Sequence, residues 1–428
     1  MKEDLLHFIW RCDKLQGQPL TTTTSESIVI KNPGTLNKYA GPDFFNASVE
    51  VGGQLWAGNV EMHLKSSDWY AHHHETDSNY DNVILHVVWE DDVSVFRKDG
   101  SKIPTLALKS VIPLDLLDAY RQLLENTKSN FINCEKDFKT FDSFLVENWL
   151  HRLYVERLEQ KSNLIYELLD ESNNDWEGVL FTLLIKSFGS KINGTFFLDR
   201  AKQLNFSIIR KTANNPDQLE SVLFGFFGLL GQEECSDVYY LRLKKEYQYL
   251  TKKFELSPCI GKPGFFGLRP ANFPTIRLSQ LSNLYAKQQD FFSRLMESKT
   301  LENLYSIFEI RASSYWEDHF TFGKVSRKST KKLSKSFIDL LIINTIIPIK
   351  FCYSKYTGTD ETDQLISLVS QIKKEENTII SGFRTIGSKT KNALESQAKL
   401  ELYNNYCSKN KCLQCTLGTH LLNRNTYF

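Results

Sequence analysis

Three absences bound the 428-residue chain before any motif is considered. No stretch approaches the run of about 18 apolar residues that a membrane-spanning helix requires. The opening MKEDLLHFIWRC carries acids where a secretory leader carries basic residues, ahead of an apolar stretch too short for one. The expectation is a cytoplasmic chain with no membrane partner. Cysteine is scarce, 8 residues in all, which excludes a disulfide scaffold and leaves each thiol as a small buried hydrophobe or a metal ligand. An excess of charge of one sign is missing too. With 52 basic and 51 acidic residues the net charge is +1, so the chain is no general coat for nucleic acid, and any surface for DNA or RNA has to be local. What is there, 41% hydrophobic and 24% charged, suits a globular protein with one or two substantial cores.

The rhythm of the chain changes part-way. After a helix expected over Asp4 to Leu15 come SIVIKNPG, DFFNASVEVGG, QLWAGNVEMHL and NVILHVVWEDD, separated by the turn-forming Asn32-Pro33-Gly34 and Gly52-Gly53. KDGSKIPTLAL adds a hairpin at Asp99-Gly100. From about Leu114 the chain turns to long helical stretches, such as FLVENWLHRLYVERLEQKSNLIYELLDE, where Leu145, Trp149, Leu153 and Ile165 fall at helical spacing. The pattern predicts an α+β protein, with an N-terminal mixed sheet domain over residues 1–127 and a predominantly helical region over 128–428. The boundary is placed within Lys128 to Thr140.

Residues 58–74, GNVEMHLKSSDWYAHHH, crowd ionisable groups onto a strand. Alternation sends Val60, Met62 and Leu64 to one face and Glu61, His63 and Lys65 to the other, which is either a solvated outer face or a site. Asp43 follows a Gly-Pro turn at the start of the preceding strand, and a hairpin at Gly52-Gly53 lets it share a site with Glu61. Pro42-Asp43, then Glu61-x-His63, in the order helix, three strands, bridge, strand, resembles the PD-(D/E)XK nuclease core. That resemblance implies a restriction-endonuclease-like sheet and a metal-dependent nuclease in which Asp43 and Glu61 hold Mg2+ or Mn2+. The third residue of that motif, usually Lys, serves the attacking water; here His63 stands in its place, and Lys65 offers an ammonium one pleat further on. Over nearly its whole length the chain also resembles an uncharacterised bacterial family of unknown function, on GPDFFNASV, GNVEMHLKSSDWYAHHH, NVILHVVW, LRPANFPTIRLSQL, YWEDHFTFGK and CLQCTLG.

The histidines carry a rival reading. His72 and His74 can face one ion from an extended segment although three consecutive residues cannot, so His74 joins the candidate metal ligands. A zinc-dependent hydrolase built from His63, His72 or His74 and Asp77 is the alternative. A polar loop capped by Asp68 or Asp77 is the plain account, and His86, in an apolar strand, reads as a core histidine that could reach the metal face. Near the C-terminus Cys407, Cys412 and Cys415 form C-x4-C-x2-C, a spacing for an iron–sulphur cluster or Zn2+, with the fourth ligand open among Cys12, Cys134, Cys235, Cys259, Cys352 and His420. GKVSRKSTKKLSKS, residues 323–336, holds basic residues and no acid. Lys324, Arg327, Lys328, Lys331 and Lys332 are therefore the candidate contacts to DNA or RNA, against the alternative of a solvated linker. A nuclease-like core without turnover, binding nucleic acid or serving a structural end, is the remaining function class.

Overall fold

The computed structural model describes residues 2–424 apart from 13, 16, 38, 126–130, 233 and 289. The chain forms two compact units, Met1–Trp149 with Leu402–Phe428, and Leu150–Glu401. The division expected at residue 127 falls on a point outside the described residues. The units differ from that expectation in another respect, because the C-terminal segment joins the N-terminal sheet instead of the helical region.

The first unit opens on helix α1 (Glu3–Arg11), with acids in its first turn and Arg11 in its last, each facing the favourable end of the helix dipole. Leu5, Leu6, Phe8, Ile9 and Trp10 bury one side of it. Strands β1 (Leu20–Thr21), β2 (Ser27–Asn32), β3 (Thr35–Leu36), β4 (Phe44–Val51), β5 (Gln54–Lys65), β6 (Val83–Glu90) and β7 (Thr105–Ala107) make one sheet ordered β1-β2-β4-β5-β6-β7, with β3 also on β4. β2, β4 and β5 are antiparallel, and β5, β6 and β7 are parallel, so the sheet is mixed. Gly52 and Gly53, at φ 59 and 84, adopt the left-handed backbone that a two-residue hairpin demands and join β4 to β5. The parallel step from β5 to β6 needs a crossover, which carries the short helix α2 (Asp68–Ala71). Gly58 lets β5 and β6 converge at its start, since a Cβ there would stand 2.6 Å from the Asn82 carbonyl oxygen. Helix α3 (Leu114–Glu125) follows the sheet, and α4 (Ser143–Glu171) runs on into the second unit.

The second unit is mostly helical. Lys335–Thr357 within it is long and apolar enough to cross a membrane by length and composition, contrary to the expectation that no run comes near. Asn344, Pro348 and Lys350 interrupt its apolar lettering, and 72% of its most apolar window is buried inside the protein, which makes it a core helix. Even Lys350 is buried, its ammonium donating to the carbonyls of Leu295 (3.1 Å), Met296 (2.6 Å) and Ser298 (3.1 Å).

Glu220 is the most consequential polar group of that core. Its Oε1 accepts from Trp316 Nε1 at 2.9 Å and Ser313 Oγ at 3.2 Å, with Ser279 and Tyr239 also around the carboxyl. Burial raises the carboxyl above its ordinary pKa in spite of these donors. The native state therefore keeps a proton that the unfolded chain gives up, so its contribution to stability is fullest below the ordinary carboxyl pKa and declines as pH rises above it. Glu220→Gln keeps the hydrogen-bonding frame and is expected to flatten that decline. Glu220→Ala strands the Trp316 N–H and opens a void, destabilising the protein by about 2–4 kcal/mol. Urea unfolding of the three proteins at about pH 5 and about pH 8 checks both, and a wild type whose pH slope matches that of Glu220→Gln would contradict the neutral buried carboxyl.

Candidate metal centre

Phe44 on β4 pairs with Val60 on β5, which brings Asp43, one residue before β4, level with Glu61. Each acid is fixed by the other's strand. The Asp43 backbone N–H donates to Glu61 Oε2 at 3.0 Å, and the Met62 backbone N–H donates to Asp43 Oδ2 at 3.0 Å. A register shift between Phe44 and Ala47, with Asn46 at φ 57, bulges β4 beside this pair. Glu61 and His63 share a face, as alternation requires, yet they are only 5% and 2% exposed, so the face is no solvated exterior. Asp43 stays 25% exposed at the rim.

The parallel strand β6 sets Glu61 opposite His86. His63 Nδ1 lies 2.8 Å from Nε2 of the fully buried His86, a hydrogen bond that fixes the His63 ring. Burial, then crowding by the other histidines, lowers His63 to about 2 and His86 to about 3. Both imidazoles are neutral at physiological pH and share one proton across the contact, and neutral imidazole is the ligand form.

The crossover supplies the remaining nitrogens. Trp69 is buried against Tyr80, Val83, Val95 and Ile103, and Ser66 and Ser67 bond the Asp92 carboxylate, so α2 is fixed at its start and through its first turn. His73 follows at φ 59, in the left-handed region. That reversal turns His72 and His74 toward the same point: His72 Nδ1 is 3.1 Å from His63 Nε2, and His74 Nε2 is 3.4 Å from Glu61 Oε1, its ring stacked on Tyr80 at 3.7 Å. His63 Nε2 is 3.6 Å from the same Glu61 oxygen.

Donor atoms of His63, His72 and His74 thus lie within 4.8 Å of one another, with Glu61 Oε1 beside them. Ligands held about 2.0–2.1 Å from a tetrahedral ion stand about 3.3 Å apart. The contacts of 3.1, 3.4 and 3.6 Å bracket that edge length. A set of three nitrogens and one oxygen favours zinc, then iron or manganese, over magnesium, which prefers all-oxygen octahedra. The group opens to solvent from buried His63 to exposed His72. Burial, reinforced by the Asp43 charge, pushes the Glu61 carboxyl up to about 9. A cation among these donors supplies the positive charge that the buried acid lacks.

Two further groups face Asp43 from α1. His7 Nε2 lies 3.2 Å from Asp43 Oδ2 without being aimed for a hydrogen bond. Burial pulls His7 down, but attraction to Asp43 and the other nearby acids outweighs it and the net shift is upward. Glu3, one turn earlier, is raised by burial and by Asp43. Neither belongs to the strand motif. Their i, i+4 spacing, on the stripe left over by the apolar face of α1, is the signal in the sequence that points to them.

Other candidates stand elsewhere. Lys65 ends β5 exposed, its backbone N–H bonded to Asp68, and its ammonium makes no hydrogen bond or ion pair with the cluster. Asp77 caps the turn Ser78–Tyr80 by accepting from the Asn79 N–H and stands outside the group of histidine donors that converge. Among the basic residues of the second unit, Lys324 and Arg327 are exposed. Lys328 and Lys332 are exposed but pair with Glu317 at 3.6 Å and Glu309 at 3.9 Å. Lys331 is buried, contrary to a role on the surface: its ammonium sits over Phe320 and donates to Ser329 and to the Glu317 carbonyl. Cys407, Cys412 and Cys415 gather around a separate cavity of the first unit, with Cys134 as the fourth thiol.

A family model described as "Protein of unknown function (DUF2851)" matches residues 3–378. The chain belongs to the DUF2851 family. No curated protein and no solved structure matches it. The span matched to DUF2851 takes in every residue of the His–Glu cluster, with Asp43 and His7, and stops short of Cys407.

The cluster makes a direct prediction about metal. In zinc titration calorimetry, His63→Ala and His74→Ala are expected to weaken one bound equivalent by at least about tenfold. His73→Asn, which keeps the left-handed turn and removes a ring outside the cluster, is expected to leave it unchanged. Equal losses in all three variants would show that the donors do not act as a set.

Proposed function

We propose that the protein is a metal-dependent hydrolase of phosphodiester bonds in DNA or RNA, with its metal held by Glu61, His63, His72 and His74. The observation that carries this reading is the acid pair, Asp43 against Glu61 across β4 and β5, joined through a single Glu61 oxygen to the converging histidines. The order of α1, three antiparallel strands, a bridge and a parallel strand supports a likeness to the PD-(D/E)XK core. The donor set departs from that pattern toward nitrogen, so zinc or manganese suits it better than magnesium.

When bound, such an ion acidifies water and draws off charge that develops on the phosphate oxygens. The chain's own residues do the rest. Asp43, at the solvent rim with its Oδ2 held by the Met62 N–H, is placed to accept a proton from the attacking water. His7 stands behind it as a proton-holding partner, its own pKa raised by Asp43 and the other nearby acids against the pull of burial. His86 holds the His63 ring so that Nε2 faces the site. Exposed Lys324 and Arg327 offer phosphate contacts of the kind that change affinity with salt and leave chemistry alone.

The test incubates purified protein with single- and double-stranded DNA and RNA in the presence of zinc, manganese or magnesium. Cleavage is expected with zinc or manganese, and Asp43→Asn or Glu61→Gln should lower it by about 100-fold or more. Lys324→Ala with Arg327→Ala should raise the substrate concentration needed without changing the maximal rate. Wild-type protein that cleaves none of the four substrates with any of the metals would overturn the reading, as would an Asp43→Asn variant of undiminished rate.

A further inference from the structure

The cysteines of the first unit form an arrangement that the hydrolase reading does not use. Cys134 lies beyond α3, Cys407 ends the helical turn Leu402–Cys407, Cys412 opens the turn Cys412–Gln414, and Cys415 precedes the helix Thr416–Arg424. The four line one cavity, whose other walls are mainly apolar, among them Leu123, Ile132, Leu402 and Leu417. The cavity measures about 20 Å³, room for about one water-sized sphere. All four are free thiols, and Cys134, Cys412 and Cys415 are buried.

Spacing of the sulphurs discriminates between metals. Four thiolates about 2.3 Å from one tetrahedral zinc stand about 3.8 Å apart. The four cysteines line one shared cavity, so their sulphurs surround a space. A polynuclear cluster needs such a ring, because its thiolates are shared out over more than one iron. N–H groups also point at the sulphurs: Asn133 Nδ2 donates to Cys412 Sγ at 3.3 Å, and the backbone N–H groups of Leu417 and Gly418 face Cys415. Burial raises the Cys412 and Cys415 thiols above their ordinary pKa, and these donors oppose that rise by stabilising thiolate. Gly418 is what allows the close fold, since a Cβ there would stand 2.9 Å from the Cys412 carbonyl carbon.

We propose that Cys134, Cys407, Cys412 and Cys415 bind an iron–sulphur cluster that fastens the C-terminal segment to the N-terminal part of the same unit. Each thiol releases its proton to water as its iron–sulphur bond forms; ferric iron, part of it reduced to ferrous by the added thiol reductant, and inorganic sulfide complete the cluster with no oxidation of the protein. Residues 150–401 intervene in sequence between Cys134 and the other three, so the cluster closes a unit built from two distant segments. The site lies outside the span matched to DUF2851 for three of its four ligands.

The experiment is anaerobic purification of the full chain followed by reconstitution with iron, sulfide and a thiol reductant. Iron and acid-labile sulfide in equal amounts are expected, with broad visible absorption that bleaches on reduction. Cys134→Ser and Cys412→Ser should lose both, and Cys352→Ser, altering a buried cysteine of the second unit, should keep both, with circular dichroism reporting whether each variant is folded. Wild-type protein that stays colourless after reconstitution, or carries zinc in place of iron, overturns the proposal whatever the variants do. So does a Cys134→Ser variant with full iron and sulfide.

Discussion

A buried carboxyl beside a second acid is the constraint on which the N-terminal unit turns. Glu61 sits almost out of reach of water with Asp43 against it, an arrangement that disfavours the charge of Glu61. Backbone N–H groups stabilise it in part, one donated to each carboxylate from the facing strand. Those two hydrogen bonds require β4 and β5 to keep register beside the bulge. The histidines cannot offset the charge by themselves, because burial leaves His63 and His86 neutral. A cation bound by neutral nitrogens and one carboxylate would offset that charge, which is the role proposed for this cluster.

Each of those elements has a local cause. Parallel pairing of β5 and β6 brings His86 behind His63 and obliges the chain to cross over the sheet end, where α2 carries His72 and His74 above Glu61. Trp69 buries the crossover, and the left-handed turn at His73 aims its two neighbours. α1 adds His7 next to Asp43. The result is graded, buried at His63 and open at His72 and Asp43.

Much of this was legible in the residues themselves. Period-two alternation and the Gly52-Gly53 turn are local signals, and together they place Asp43 near Glu61 without knowledge of the rest of the fold. The meeting of His72 and His74 comes from the backbone reversal at His73, in a turn and not in the extended segment that alternate spacing assumes, and no glycine announces it. Other features depend on partners far away in sequence. Lys331 looks like one more surface cation until the Ser329 and Glu317 oxygens and the Phe320 ring are seen to enclose it. Cys134 joins thiols more than two hundred positions away, and neither its spacing nor its flanking residues single it out from Cys12 or Cys352. Lys335–Thr357 hid its apolar character behind Asn344, Pro348 and Lys350, whose polarity is met by burial among carbonyls in the case of Lys350.

The central claim is that one cation belongs between Glu61, His63, His72 and His74. Its most direct measurement is anomalous scattering from crystals soaked in zinc or manganese, collected on both sides of the metal's absorption edge. The account predicts a peak about 2.0–2.2 Å from Glu61 Oε1 and from nitrogens of the three histidines, with Asp43 facing the open side of the ion. A peak coordinated by Asp43 and Glu61 alone, or metal-soaked crystals with no peak at this cluster, would contradict it.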